Sequence, residues 1–481
     1  MRERARLKLL GFLLAWAVVL AACASFAQPT VTRGGALKKR AYQTYSAMTL
    51  YVDPTGSDSN ACTASGTSAC LTLGGALNKV PIHIRHLVTI NVASGTYAEV
   101  FRIQGFFIEG ANGAASTAAL TIAGTQTAYT VATGTNSGTV TSFADTSTID
   151  GSHPVLTDST QTWTTNNLRG RFLYITGGPG AGEYHLITSN TATTLSLAFS
   201  FTVNPTAAST YEIRTPGPVF TGTVGNIGGI VGRGTTTVSD ISLQPSSGSG
   251  LTVGFMPRLI MNRMRVAGVT SGITTSSELI GPTLWAVNTT FVNAGTLNAF
   301  AIPATRITLS ELFAFCSSGT TCSGSGVSIG ARISTLLNAI SGTIAGPFAT
   351  AMIFADSASG SQSTGLWLDC STGGIGVYSP PASADSGSYL GRGWATSRTY
   401  FSGCATGYSL NSPSTSYAKV NIFNNVTNAF VLTAGARMVI ETPTFNTVTN
   451  ELTVDGTVYT NANLTTFTRI TGPQGSYAAS P

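Results

Sequence analysis

The most reactive side chains in this 481-residue chain are its seven cysteines, and their spacing weighs a metal site against disulfides. No C-x2-C pair occurs, and His83, His86, His153 and His185 are not spaced with the cysteines, so the ligand pattern of a zinc site is missing. No metal and no other cofactor is expected. Setting Cys23 aside leaves six, Cys62, Cys70, Cys316, Cys322, Cys370 and Cys404. An even number suits disulfides in an oxidising compartment; a stack of reduced cysteines in the core is the competing arrangement. Carboxylates are scarce, because charged residues make up only 9% of the chain, against roughly 25% in an average soluble protein. No acidic cluster able to hold Ca²⁺ and no adjacent aspartate pair for acid–base hydrolysis is visible. Gly177-Gly178-Pro179-Gly180 lacks the lysine and following helix of a phosphate cradle and reads as a hairpin turn. Amides and hydroxyls remain: Asn424, Asn425, Asn428, Asn446 and Asn450 form either a sugar-binding ladder or a row of solvent-facing turn residues.

These side chains must be positioned by an ordered scaffold. Hydrophobic residues make up 42% of the chain, enough for a sizeable core and too many for charge-driven disorder. The 54 glycines show no G-X-Y period, which excludes collagen. Net charge is +6, but residues 1–40 carry Arg2, Arg4, Arg6, Lys8, Arg33, Lys38, Lys39 and Arg40 against Glu3 alone. The rest is close to neutral, so a phosphate-tracking surface is not expected and nucleic acid is not an expected partner. Residues 1–27 read as an export signal, with a basic start, an apolar stretch from Leu9 to Ala22, then small residues. Two exits are open. Ser25-Phe26-Ala27 suits a signal peptidase, whereas Leu20-Ala21-Ala22-Cys23 resembles a lipobox that would lipidate Cys23 and tether the chain to a membrane. Either places the protein outside the cytoplasm, as an extracellular, periplasmic or outer-membrane surface protein of a bacterium.

A linker is expected over residues 28–46. Beyond it, Leu50 to Gly56 reads as a strand entering a turn, Leu71 to Val80 as a helix with Leu73, Leu77 and Val80 on one face, and Val88 to Val92 as a strand. The segments "YVDPTGSD", "TLGGALNKVP" and "VTINVASGTYAE" between Tyr51 and Ile103 resemble the entry of the pectin-lyase-like right-handed parallel β-helix superfamily. That resemblance implies an all-β fold: a right-handed parallel β-helix, or solenoid, with a short N-terminal capping helix.

Such a solenoid demands an internal period, and one is present. Phe401, Cys404, Tyr408 and Leu410 align with Phe423, Val426, Phe430 and Leu432, and then with Phe445, Val448, Leu452 and Val454, each set 22 residues after the last. Phe291 and Phe313 fit the same template, and Val266 and Trp367 fit it more loosely. Cys316, Cys370 and Cys404 share one position of the template, where equivalent Cα atoms lie ~4.8 Å apart, within disulfide range. Cys370–Cys404 is therefore the expected long-range pair, with Cys62–Cys70 and Cys316–Cys322 closing small loops. The same register stacks Lys419 on Glu441. Short alternating strands between 145 and 216 form a small inserted β module, similar to those of phage tail proteins and bacterial surface β-helices. The expected order is the N-terminal cap and first coils over 47–144, the module over 145–216, the β-helix over 217–455 and a tail over 456–481.

Within the superfamily, Gly95-Thr-Tyr-Ala-Glu99 and Leu390-Gly-Arg392-Gly-Trp394 resemble two pectin methylesterase motifs, whose later Arg and Trp hold the site and the sugar. The aspartate segments of that family have no counterpart between 216 and 390. By this weaker resemblance Asp356, Asp369 and Arg392 are the candidate catalytic residues, with Trp394, Arg398 and Tyr400 as candidate substrate-binding residues. Three roles stay open. The chain is an exported polysaccharide-binding β-helix, a polysaccharide-active lyase or esterase with a divergent site, or a structural tail-spike or adhesin-like part. A groove lined by carboxylates near Arg392 would favour the enzyme, and one bearing amides and hydroxyls would favour binding.

Overall fold

The computed structural model describes residues 42–454 and 470–471, apart from 110–117, 146–152, 199, 224, 248, 255–256 and, from 268 onward, most links between strands. The regular secondary structure of the described chain is nearly all strand; its helical content is Leu73–Leu77 and a 3-10 turn at Gly66–Ser68. Thr72 opens the helix by accepting a hydrogen bond from the Gly75 amide, as an N-cap residue does. Leu73, Ala76 and Leu77 are buried beneath it.

The strands stack in parallel, pass upon pass. Met48–Val52 pairs with Val88–Val92, which pairs with Ala119–Ala123, and that in turn with Thr235–Ser239 and then Arg258–Asn262. Between these strands the chain visits a second parallel sheet, through Gly95–Tyr97, Pro218–Phe220, Ser242–Leu243 and Arg265–Ala267. A third follows through Arg102–Gln104, Gly225–Gly228, Ser249–Val253 and Ser271–Thr275. Each pass thus lays one strand on each sheet, and alternate residues such as Val88, Ile90 and Val92 point into a shared apolar interior. Parallel sheets of this kind bury one row of side chains per sheet all along the stack.

The 22-residue register holds through the last passes. Phe401 pairs with Phe423 and Phe423 with Phe445, Val426 with Val448, Tyr408 with Phe430 and Phe430 with Leu452, and Lys419 with Glu441. Inside, the Phe401 and Phe423 rings stack at 4.8 Å with 8° between planes, and Tyr408 and Phe430 at 5.3 Å with 4°. Two placements differ from the template. Phe313 pairs with Thr290 and Phe291 with Ala314, so that pass is one residue longer. Trp367 pairs with Tyr400, and Leu368 takes the place in line with Phe401. Val266 does pair with Phe291.

Cys62–Cys70 and Cys370–Cys404 are disulfides, the latter with Cα atoms 4.8 Å apart on neighbouring passes. Cys316 and Cys322 lie outside the described residues, as do Cys23, the export segment and the linker up to residue 41.

The module interrupts one corner of the stack, between Ala119–Ala123 and Pro218–Phe220. Its strands are antiparallel, and they begin at Gln126, upstream of the 145 boundary expected from sequence: Gln126–Ala128 and Ser137–Thr139 pair with Thr210–Pro216, and Ser142–Ala144 pairs with Val155–Thr157. Those early strands are three residues each, made mostly of Gln, Ser, Thr, Gly and Ala, and carry almost no apolar alternation to read. The module has its own core of Leu156, Trp163, Leu173, Ile175, Ile187, Tyr211 and Ile213. The glycine stretch is the hairpin turn between Phe172–Gly177 and Tyr184–Asn190, with Gly178, Gly180 and Gly182 all at positive φ.

Candidate functional site: a hydroxyl and amide corner

Stacked passes repeat their bends as well as their strands. Gly403, Asn425 and Thr447 occupy equivalent places after Phe401, Phe423 and Phe445, and all three are left-handed, with φ of 64°, 53° and 56°. Glycine and asparagine enter this region readily, whereas a β-branched threonine is strained there. The bend turns Val426 and Val448 inward, where both are buried, and leaves Asn425, Thr427, Thr447 and Thr449 exposed. Between them lies an open pocket of about 370 Å³, lined by Asn425, Val426, Thr427, Thr447, Val448 and Thr449. Among the described residues its polar lining is therefore one amide, three hydroxyls and backbone, with no carboxylate.

The other asparagines of the ladder are engaged in the stack. Asn450 donates from Nδ2 to Oδ1 of Asn428 at 2.8 Å, Asn428 to the Ala405 carbonyl at 3.3 Å, and Asn424 to the Tyr400 hydroxyl at 2.8 Å. Asn446 is exposed. One row of amides thus serves as rungs between passes, and Asn425 is the amide that lines the pocket.

The expected catalytic group is only partly described. Asp356, Arg392 and Trp394 lie outside the described residues. Asp369 ends strand Gln362–Asp369, half-buried and in register with Ala345 and Ser402. Burial drives the guanidinium of Arg169 in the module below its ordinary pKa, and the Asp369 charge opposes this only in part. Arg398 and Tyr400 share strand Ala395–Ser402, and Tyr400 is half-buried against Asn424.

Glu99 of the Gly95-Thr-Tyr-Ala-Glu99 motif has a structural duty: its Oε1 accepts from the Leu73 amide at 2.6 Å and its Oε2 from the Gly74 amide at 3.2 Å. Burial pushes its pKa up, against the pull of those two amides, with Asp58 nearby adding to the rise. Among the described residues no three His, Cys, Asp or Glu side chains come together as a metal site.

The seam between module and stack was not foreseen. Asp240 and Arg263 occupy the interrupted corner on successive passes, both left-handed, and Arg263 donates to both Asp240 oxygens at 2.7 Å. Gln126 of the module donates to the same carboxylate at 2.9 Å, and Arg263 lies 5.3 Å from the centre of the Tyr184 ring. Further along, the His153 ring stacks on Trp367 at 4.7 Å. These partners are far apart in sequence and of ordinary composition, and no local pattern marks them.

No protein-family model matches the chain, and no curated protein matches it. Among solved structures it is similar to XylC in complex with xylose, at 13% identity over 83% of this chain and 70% of the other, TM-score 0.29. The tailspike gp61 of Pseudomonas phage phi297 is similar at 11% identity over 84% and 74%, TM-score 0.26. A structure described as a glycoside hydrolase is similar at 9% identity over 89% and 97%, TM-score 0.25.

Proposed function

We propose that this protein is a right-handed parallel β-helix that is exported and binds polysaccharide, with the stacked corner at Asn425 and Thr447 as its sugar contact. The observation that carries this reading is the pocket chemistry. Amide and hydroxyl groups on a fixed backbone can exchange hydrogen bonds with neutral sugar hydroxyls, whereas hydrolysis or elimination needs a carboxylate or a base in reach of the scissile bond. Stacking sets Thr427 and Thr449 at equivalent places on neighbouring passes, ~4.8 Å apart, so that hydroxyls of two passes can meet one glycan. The two disulfides support folding in an oxidising compartment. A lipid anchor at Cys23 belongs to the same proposal as one of two exits from the export signal.

The test is affinity electrophoresis of the purified chain through gels containing pectins, alginates or bacterial surface polysaccharides, with product release followed in parallel. Asn425→Gly removes the amide while suiting a φ of 53°, and Thr427→Val removes a hydroxyl at nearly constant volume. Retention by one polysaccharide, weakened about tenfold or more by either change, equivalent to roughly 1.4 kcal/mol, is the expected result. No retention by any glycan, or retention indifferent to both changes, overturns the proposal. Release of unsaturated or de-esterified products, lost in Asp369→Asn or Arg392→Ala, would replace it with the enzyme.

A further inference from the structure

Apolar exposure is concentrated where the stack begins. Among the described residues seven large apolar side chains are exposed, and five of them, Tyr42, Tyr45, Ile82, Leu87 and Val231, belong to one small sheet and its flanks. Tyr42 and Tyr45 are the most exposed, at 75% and 77%. Backbone contacts bring these residues together. The His83 amide donates to the Tyr42 carbonyl and the Thr44 amide to the His83 carbonyl, both at 3.0 Å. The His86 amide donates to the Thr44 hydroxyl at 3.0 Å and the Met48 amide to the Leu87 carbonyl at 2.9 Å. Residues 42–48 therefore run along residues 82–87. Gln43, His83, Phe107 and Val231 are successive parallel rungs. Ile84 and Ile108, the next residues of their strands, are fully buried, so His83 and Phe107 face outward. There the Tyr42 and His83 rings meet edge to face at 5.9 Å, and the His83 and Phe107 rings at 4.7 Å.

An exposed apolar face of this kind marks an interaction surface, and the charges around it point to the partner. Residues 28–41 carry Arg33, Lys38, Lys39 and Arg40 and no acid. Lys38, Lys39 and Arg40 are joined to Tyr42 through at most four residues, a reach of about 14 Å or less. Two residues beyond the rungs His83, Phe107 and Val231 stand Arg85, Glu109 and Arg233, again more basic than acidic. A second copy of the chain docked face to face would bring like charges together, which disfavours it. An anionic lipid surface complements both features. Tyrosine rings settle at the level of the headgroups, aliphatic side chains reach below them, and lysine and arginine are drawn to the lipid phosphates.

We propose that the face formed by Tyr42, Tyr45, Ile82 and Leu87, with Phe107 and Val231 beside it, docks on an anionic lipid bilayer and seats the start of the stack against a membrane. Docking needs no lipid at Cys23; where Cys23 is acylated, the acyl anchor and this face hold the membrane together. The face lies on the first passes, apart from Asn425 and Thr447 on the last, and does not rest on sugar binding there.

The chain as exported through the signal-peptidase exit, beginning at Gln28 and carrying no lipid, is floated on a density gradient with vesicles of phosphatidylglycerol and phosphatidylcholine in equal parts. Vesicles of phosphatidylcholine alone are the neutral control. Flotation with the anionic vesicles is expected, about tenfold weaker with the neutral ones and reduced by added salt. Tyr42→Ser combined with Tyr45→Ser should lower partitioning about tenfold or more at an unchanged Tm, because neither ring is buried. Lys38→Gln, Lys39→Gln and Arg40→Gln together should lower it as well and weaken its salt dependence. Should the tyrosine pair fail to fold, Leu87→Ser decides in its place. Sugar retention should be the same in every variant. Absence of flotation overturns the proposal, whether a second copy of the chain or residues 28–41 cover the face instead. Equal flotation on both kinds of vesicle overturns it too, as does flotation that the tyrosine and leucine changes leave intact, which would be attraction by the basic segment alone.

Discussion

Tyr211 and Asp158 show how this protein uses its few charges inside. Asp158 is fully buried, and burial alone would raise its pKa; hydrogen bonds from the Thr160 side chain and amide, from the Tyr211 hydroxyl at 2.7 Å and from Gln161 outweigh that and hold it below the ordinary 3.8. Tyr211→Phe removes one donor from a buried carboxylate, at an expected cost of about 1–3 kcal/mol at neutral pH. The sign of the pH dependence follows from the lowered pKa. Stability from this group is present above the unfolded pKa and is lost as pH falls through the folded one. The Tm gap between wild type and Tyr211→Phe should therefore be widest near pH 7 and close below about pH 3.8. A constant gap would show that Tyr211 acts through packing alone. Glu99 has the opposite sign, its pKa being raised by burial, so its burial weakens the fold as pH rises past the ordinary carboxylate range. Its amide contacts still cap the helix, and Glu99→Ala is expected to cost about 1–2 kcal/mol, read from chemical unfolding at pH 7.

Among the elements, the interior aromatic column and the module seam were legible to very different degrees. Phe401, Phe423 and Phe445 were readable because strict spacing forces identical residues into one interior line, and one change there should be felt by both neighbours. Phe423→Ala is expected to destabilise by about 3–5 kcal/mol, measured as a shift in the denaturant midpoint, since Phe423 is fully buried and touches Phe401, Phe430 and Phe445. Where a pass gains a residue, as between Phe291 and Phe313, spacing misleads, because only backbone pairing reports the slip. The seam carries no period at all. Its contacts join residues brought together only by the insertion, so the pull of the Asp369 charge on Arg169 has no mark in the sequence. His153 supplies the seam's pH response: burial pushes it down to about 4 from 6.5, only partly opposed by its hydrogen bond to the Leu197 carbonyl. The unfolded chain binds this proton more tightly, so stability is full above about pH 6.5 and falls by up to ~3 kcal/mol as pH drops toward 4. His153→Phe, which keeps a ring against Trp367, should flatten the decline in Tm over that window; an unaltered decline would place the proton elsewhere.

At the scale of the whole molecule, the stack and the module are two cores joined at one corner. The apolar cluster of the stack runs from Leu50 to Leu452, and the module's cluster shares no residue with it. The chain leaves the stack after Thr125 and returns at Gly217, and the Gly217 amide donates to the Thr125 carbonyl at 2.7 Å. The ends of the excursion are thus already neighbours, and closing so short a gap costs little chain entropy. Replacing residues 126–216 by a two-glycine bridge is expected to leave the parallel stack folded, with a cooperative unfolding transition and both disulfides formed. It should lose the Gln126–Asp240, Arg263–Tyr184 and His153–Trp367 contacts, and with them the stability decline between pH 6.5 and 4. Sugar retention at the Asn425 corner should persist. Failure of the shortened chain to fold would mean instead that the module holds the stack together, making the two cores one cooperative unit.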